Sequence, residues 1–159
     1  MTATSFSTYY SPVGPLLLSG DHEALTGLSF GPAPRAGQTD DARFMTEREQ
    51  LDEYFAGERT EFDFPLRLAG GPFELRVWEL LRAIPYGTTA TYGELAARLG
   101  APERARAVGA ANGRNPIAIV VPCHRVIGAG GKLVGYGGGL DTKRALLELE
   151  GALLALGRA

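Results

Sequence analysis

A chain of 159 residues and 16.9 kDa holds one domain or two small ones around a core of ordinary size. Apolar residues make up 45% and charged residues 21%, near globular averages, which excludes wholesale disorder, a collagen repeat and a coiled coil. One cysteine permits no internal disulfide and two histidines build no zinc-finger framework. The N-terminus lacks a basic region followed by an apolar run, and no stretch approaches bilayer length. A soluble, cytoplasmic protein with no membrane partner is expected. The formal net charge of −2 hides a division: residues 1 to 71 hold 5 Lys+Arg against 11 Asp+Glu, net −6, and residues 72 to 159 hold 11 against 7, net +4. The second half has the sign of a polyanion binder, although a modest excess alone makes nucleic acid one candidate among several.

Phe6 to Tyr10, Leu16 to Ser19 and Leu25 to Phe30, punctuated by Pro12 and Gly14, read as short strands of an antiparallel sheet. Gly31 to Gly37 reads as a loop. Phe44, Leu51, Tyr54 and Phe55 then recur at helical spacing until Gly57. Phe62, Phe64, Leu66 and Leu68 alternate as in a strand, and Ala69 to Pro72 marks a boundary between a domain of residues 1–70 and one of residues 71–159.

Pro72 introduces a helix whose stripe of Phe73, Val77, Trp78, Leu80, Leu81 and Ile84 ends at Pro85-Tyr86-Gly87. Thr91 and Glu94 fit a capping box, which predicts a helix over 92–99 that stops at Gly100. A second helix is expected from Pro102 to about Asn112. The pair resembles a helix-turn-helix, although the pattern alone slightly favours any αα-hairpin. Ile117 to Val121, an unbroken β-branched and apolar run, reads as a buried strand ending at Pro122-Cys123-His124-Arg125. A short strand is expected near Leu133. The glycines after Tyr136 allow close approach to a flat ligand, and Asp141 is expected to cap a last helix, with Leu146 and Leu149 inward and Glu150-Gly151 at its end.

The sole thiol thus follows a buried run, with an imidazole beside it and an arginine two positions on, neighbours that favour thiolate. A lone cysteine is more often an inert core residue. Against that stands the polar setting, since three such neighbours are hard to bury together. His22, the other histidine, reads as a surface residue.

Asn115-Pro116, the apolar run and Pro122-Cys123-His124-Arg125-Val126-Ile127 resemble the active-site signature of the O6-alkylguanine-DNA alkyltransferases. Arg106-Ala107-Val108-Gly109, Thr91-Tyr92-Gly93-Glu94-Leu95-Ala96 and Gly135-Tyr136-Gly137-Gly138-Gly139-Leu140 resemble segments of the bacterial branch, in the same order. Gly14-Pro15-Leu16 and the strand pattern carry a weaker similarity in the first half. The resemblance implies an α/β (α+β) chain, with an RNase-H-like N-terminal domain followed by a winged-helix-like C-terminal domain containing a helix-turn-helix. It implies repair of O6-alkylguanine by base flipping and irreversible, single-turnover transfer of the alkyl group to Cys123, because a base inside the duplex cannot reach a buried thiol.

The same resemblance assigns roles. Cys123, His124 and Glu150 match a thiol–water–imidazole–carboxylate network, Asn115 a hinge residue, and Tyr92 a tyrosine that contacts phosphate and base and is placed to protonate departing guanine. Arg106 matches the finger entering the base stack; Ala107, Asn112 and Arg125 are the further DNA contacts. Val126, Tyr136, Gly137 and Lys143 match the substrate pocket. Double-stranded DNA is expected in the minor-groove mode with little sequence preference. A monomer is expected, with cooperative binding on DNA left open. No cofactor or metal is expected, since a zinc site of some relatives needs cysteines absent here. Gly137 stands where eukaryotic members have a serine, and Asn112 where they have a methionine. Two other readings remain at this point: a damage-binding module, against which Cys123 argues, and a winged-helix regulator using Cys123 as a sensor.

Overall fold

The computed structural model describes residues 4–31 and 39–155. The chain forms two compact units, Met1–Ala69 and Gly70–Ala159. The loop expected at Gly31 to Gly37 lies, except for Gly31, outside the described residues.

In the first unit, β1 (Ser5–Ser11), β2 (Gly14–Gly20) and β3 (Leu25–Phe30) form an antiparallel meander in chain order. Gly14, at φ 102°, turns the chain from β1 into β2. The register pairs Ser7 with Leu18 and Tyr9 with Leu16, and Leu18 with Leu28. All five are buried, so one face of the sheet is the core face. Helix α1 (Met45–Phe55) covers that face with Leu51 and Tyr54. Two polar ties fix it there: Tyr9 Oη donates to Asp52 Oδ1 at 2.6 Å, and Arg48 Nη1 donates to Ser7 Oγ at 2.9 Å and the Thr8 carbonyl at 3.0 Å.

The alternating segment from Phe62 to Leu68 does keep its period, with Phe62, Phe64, Leu66 and Leu68 half-buried. It forms no strand, however, and makes a single bridge, Leu66 to Leu25. Pro65 has no N–H to give a ladder. The Gln50 side chain takes over by accepting the Asp63 N–H at 3.0 Å and donating to the Asp63 carboxylate.

In the second unit, α2 (Pro72–Arg82) begins with Pro72 in its first turn and buries Val77, Trp78 and Leu81. Glu74 accepts the Gly71 N–H at 3.0 Å. Strand β4 (Ala90–Thr91) leads directly into α3 (Tyr92–Arg98). The expected capping box is formed: Thr91 Oγ1 accepts from the Glu94 N–H at 3.1 Å, and Glu94 Oε1 accepts from the Thr91 N–H at 2.7 Å. After a 3₁₀ turn at Pro102–Arg104 comes α4 (Ala105–Gly113), so α3 and α4 form the expected pair of helices. Trp78 Nε1 donates to the Ala111 carbonyl at 2.9 Å, tying α2 to α4.

β5 (Val126–Ile127) pairs parallel with β4, Ala90 opposite Val126 and Thr91 opposite Ile127. This two-residue parallel pairing sets the residues just before β5 beside the chain that enters β4, where Arg125 reaches the Ile84 carbonyl. Helices α5 (Leu140–Leu149) and α6 (Ala152–Ala155) close the unit. Ile127, Leu147, Ala152 and Leu153 form one buried cluster with Leu133 against it.

Three expectations fail in the segment after β5. Residues near Leu133 form no strand, and a 3₁₀ turn at Ala129–Gly131 precedes them. Gly139, at φ 94°, is the N-cap of α5, which moves Asp141 into the first turn, where its charge favours the positive helix end. The inward residues of α5 are Lys143, Leu146 and Leu147, while Leu149 is half-buried. No described helix is long and apolar enough to cross a membrane. The capping box gives a direct check: Thr91→Ala should lower stability by about 1 kcal/mol, read as a lower urea midpoint with an unchanged slope.

Candidate active site

The run Ile117 to Val121 is not a strand. It is a buried tight turn held by Asn115, whose Oδ1 accepts the Ile117 N–H at 3.0 Å and whose Nδ2 donates to the Val121 carbonyl at 2.7 Å. Val121 N–H returns to the Ile117 carbonyl at 3.0 Å. Inside this loop, Val120 N–H reaches the Ala118 carbonyl at 2.8 Å across Ile119, whose φ is 71°. That is a γ-turn with positive φ, strained for a β-branched residue by roughly 1–3 kcal/mol. Ile117, Ile119 and Val121 are each buried to within 1%, and each such burial contributes about 1.5–3 kcal/mol. Core burial therefore outweighs both the strain and the strand propensity.

Pro122 makes a second three-residue turn of the unstrained kind, at φ −80° and ψ 67°. It is closed by Cys123 N–H on the Val121 carbonyl at 2.7 Å. Cys123, His124 and Arg125 then form one 3₁₀ turn. The consequence is a thiol presented by backbone that is hydrogen-bonded on both sides, not by a strand end.

All three residues of that turn are buried, contrary to the expectation that they resist burial together; His124 has no exposed surface at all. Glu150, the C-cap of α5, makes this tolerable. Its Oε2 lies 2.7 Å from His124 Nε2, and its two oxygens accept Arg125 Nε at 2.8 Å and Nη2 at 3.1 Å. Arg125 Nη1 also donates to the Ile84 carbonyl at 2.7 Å, and its guanidinium lies 5.6 Å from the Tyr86 ring centre. Burial pushes the Glu150 carboxyl up, but His124 and Arg125 overcome this and hold it well below the usual carboxylate range. Burial pushes His124 down despite Glu150, so the ring is neutral near pH 7. A neutral ring beside an ionised carboxylate carries its proton on Nε2, leaving Nδ1 as an acceptor. Nδ1 is buried and has no hydrogen-bond partner among the described residues.

The thiol itself contradicts the sequence expectation. Burial pushes Cys123 up, while a hydrogen bond from Asn115, the charge of Lys143, its own backbone N–H and the Tyr136 hydroxyl pull it back. His124 and Arg125 are not the stabilising neighbours; they are turned to Glu150. Lys143 is, and it is fully buried, donating to the carbonyls of Val134 at 2.9 Å and Gly135 at 3.5 Å. Its Nζ lies 6.0 Å from the Tyr136 ring centre. Burial lowers Lys143 to about 8, partly offset by Cys123, so it remains mostly charged at pH 7. Burial and the nearby Cys123 both raise Tyr92, which keeps its phenol protonated.

Cys123, His124, Glu150, Asn115, Tyr92, Tyr136 and Lys143 are thus drawn together, with Val126 buried immediately beyond. Arg106 is exposed on α4, Ala107 is half-buried, and Gly137 is exposed. Two residues expected at the DNA are turned into the protein in this structure. Arg125 is 7% exposed and committed to Glu150 and Ile84, and Asn112 is 5% exposed with Nδ2 directed at the Cys123 carbonyl over a long 3.4 Å. In both cases the polar group is used inside the protein. His22 is exposed as expected. Sequence reasoning missed the Arg125–Glu150 pair; its only local signal is a charge of each sign in otherwise apolar stretches. No group of three or more potential metal ligands occurs among the described residues. Arg125→Met should destabilise the fold by roughly 3–5 kcal/mol, because Glu150 is left buried without its main counter-charge. Urea denaturation at pH 7 measures this.

Comparison with known proteins agrees across both units. The 6-O-methylguanine DNA methyltransferase models match twice: the ribonuclease-like domain over residues 5–68 and the DNA binding domain over residues 72–152. The methylated-DNA–protein-cysteine methyltransferase of Mycolicibacterium paratuberculosis is 57% identical over 91% of both chains. That of Methanosarcina acetivorans is 49% identical over 92% of this chain and 98% of its own. The crystal structure of Mycobacterium tuberculosis OGT in complex with DNA superposes with a TM-score of 0.87 at 53% identity, covering 97% of this chain and 99% of the other. The chain belongs to the 6-O-methylguanine DNA methyltransferase family.

Proposed function

We propose that this chain repairs DNA by moving the alkyl group of O6-alkylguanine, chiefly O6-methylguanine, onto Cys123 in one irreversible event. The observation that carries the reading is the sole thiol of the chain, set at a rigid turn beside an imidazole whose far nitrogen is held by a buried carboxylate. His124 Nδ1, the remaining acceptor, takes the thiol proton through a water. Lys143, Asn115 and Tyr136 stabilise the resulting thiolate. Sγ attacks the alkyl carbon, the carbon–O6 bond breaks, and the electron pair leaves on guanine. Tyr92 supplies a proton to that leaving group and regains one from His124, so protons balance. The product is a thioether with no second nucleophile to reopen it, and the protein acts once.

A thiol only 6% exposed cannot meet a stacked base, so the guanine must be turned out of the duplex. Exposed Arg106 on α4 suits the finger that fills the gap, with Ala107 beside it. Binding through the minor groove with little sequence preference fits a search for damage at any sequence. Tyr136, Val126, Gly137 and Lys143 form the pocket in this reading, and the protein works as a cytoplasmic monomer.

Cys123→Ala should abolish transfer and keep lesion-DNA binding, measured by chromatography of the base and by fluorescence anisotropy. Transfer by this variant would place the nucleophile elsewhere. Lys143→Met removes the buried cation, so the pH midpoint for alkylation of Cys123 by iodoacetamide should rise. An unchanged midpoint would remove Lys143 from thiolate stabilisation.

A further inference from the structure

We infer that Ile119 is a positioning residue for the nucleophile: its core-anchored side chain holds the strained turn that sets where the Cys123 thiol points. The inference rests on the transfer reading above. Ile119 is the only non-glycine residue at positive φ among the described residues; the other ten such positions all carry glycine. The chain therefore uses glycine wherever permissiveness is enough, and here it uses a stiff, β-branched residue that disfavours the conformation. The isoleucine adds constraint. Its side chain is 1% exposed, so the core fixes its direction, and the Val120 to Ala118 hydrogen bond at 2.8 Å closes the turn around it.

The constraint reaches Cys123 over one shared atom. Val121 lies between the Ile119 and Pro122 turns, and its carbonyl accepts both Asn115 Nδ2 and Cys123 N–H, each at 2.7 Å. A change of φ at Ile119 moves that carbonyl and the thiol with it. Displacement at a carbon atom requires the attacking sulfur in line with the departing oxygen, and misplacement by about 1 Å costs up to roughly a hundredfold in rate. A glycine at this position permits the turn without enforcing it.

The test compares Ile119→Gly and Ile119→Val with the unmodified chain in single-turnover transfer from duplex DNA carrying one O6-methylguanine. The glycine variant should lose about tenfold or more in maximal rate at an unchanged half-saturating DNA concentration, and valine should restore the rate to within about threefold. The pH midpoint for iodoacetamide should move in the glycine variant, as the thiol shifts relative to Lys143 and Asn115. Wild-type rate and midpoint in Ile119→Gly, whatever its melting temperature, would overturn the proposal. If that variant does not fold, NMR couplings of the unmodified chain decide: a negative φ at Ile119 overturns the proposal and a positive one supports it. An unmodified chain that takes no methyl from DNA would sink the transfer reading, while the iodoacetamide comparison would still test the turn.

Discussion

The carboxylate of Glu150 is the constraint on which the second unit depends. It lies in the protein interior, and an unpaired charge there is expensive. Arg125 neutralises it with two parallel hydrogen bonds, and the remaining lone pair faces His124. Three segments distant in sequence are thereby joined: the end of α5, the turn after Cys123, and the loop at Ile84. Gly87, at φ 82°, belongs to the same arrangement, since a Cβ there would lie 3.3 Å from the Glu150 carbonyl oxygen. Without Arg125, Glu150 would be pushed toward protonation, and the tautomer of His124 would no longer be set.

Around that pair, the site balances desolvation against local charge. Burial makes the thiol a weaker acid, which protects a nucleophile that is used once from indiscriminate reaction. The same burial lowers Lys143, yet leaves it mostly charged and close enough to favour thiolate. In the proposed mechanism the imidazole contributes as a proton acceptor, not as a positive charge. Reactivity is therefore held in the interior and depends on bringing the base to it.

Much of this was legible in the sequence, and the failures have physical causes. The capping box at Thr91, the stripe of α2 and the meander are local patterns, and they form as read. Ile117 to Val121 has strand propensity but finds no neighbouring strand, and Asn115 offers its backbone another set of partners. Phe62 to Leu68 kept its alternation and lost its ladder at Pro65. Cys123 and His124 stood out by chemistry alone. Glu150 stood out only by resemblance, because a carboxylate at a helix end ordinarily faces water. The Arg125–Glu150 pair was not legible, because its partners lie 25 residues apart and no local pattern announces it.

The central claim is that one thiol receives one alkyl group and keeps it. Intact and peptide mass spectrometry, after mixing the protein with duplex DNA containing a single O6-methylguanine, measures this directly. The account predicts one added methyl mapped to Cys123, one guanine restored per protein molecule, and no further reaction with fresh substrate. Unmodified protein that still binds the lesion tightly, or a methyl on any other residue, would contradict it.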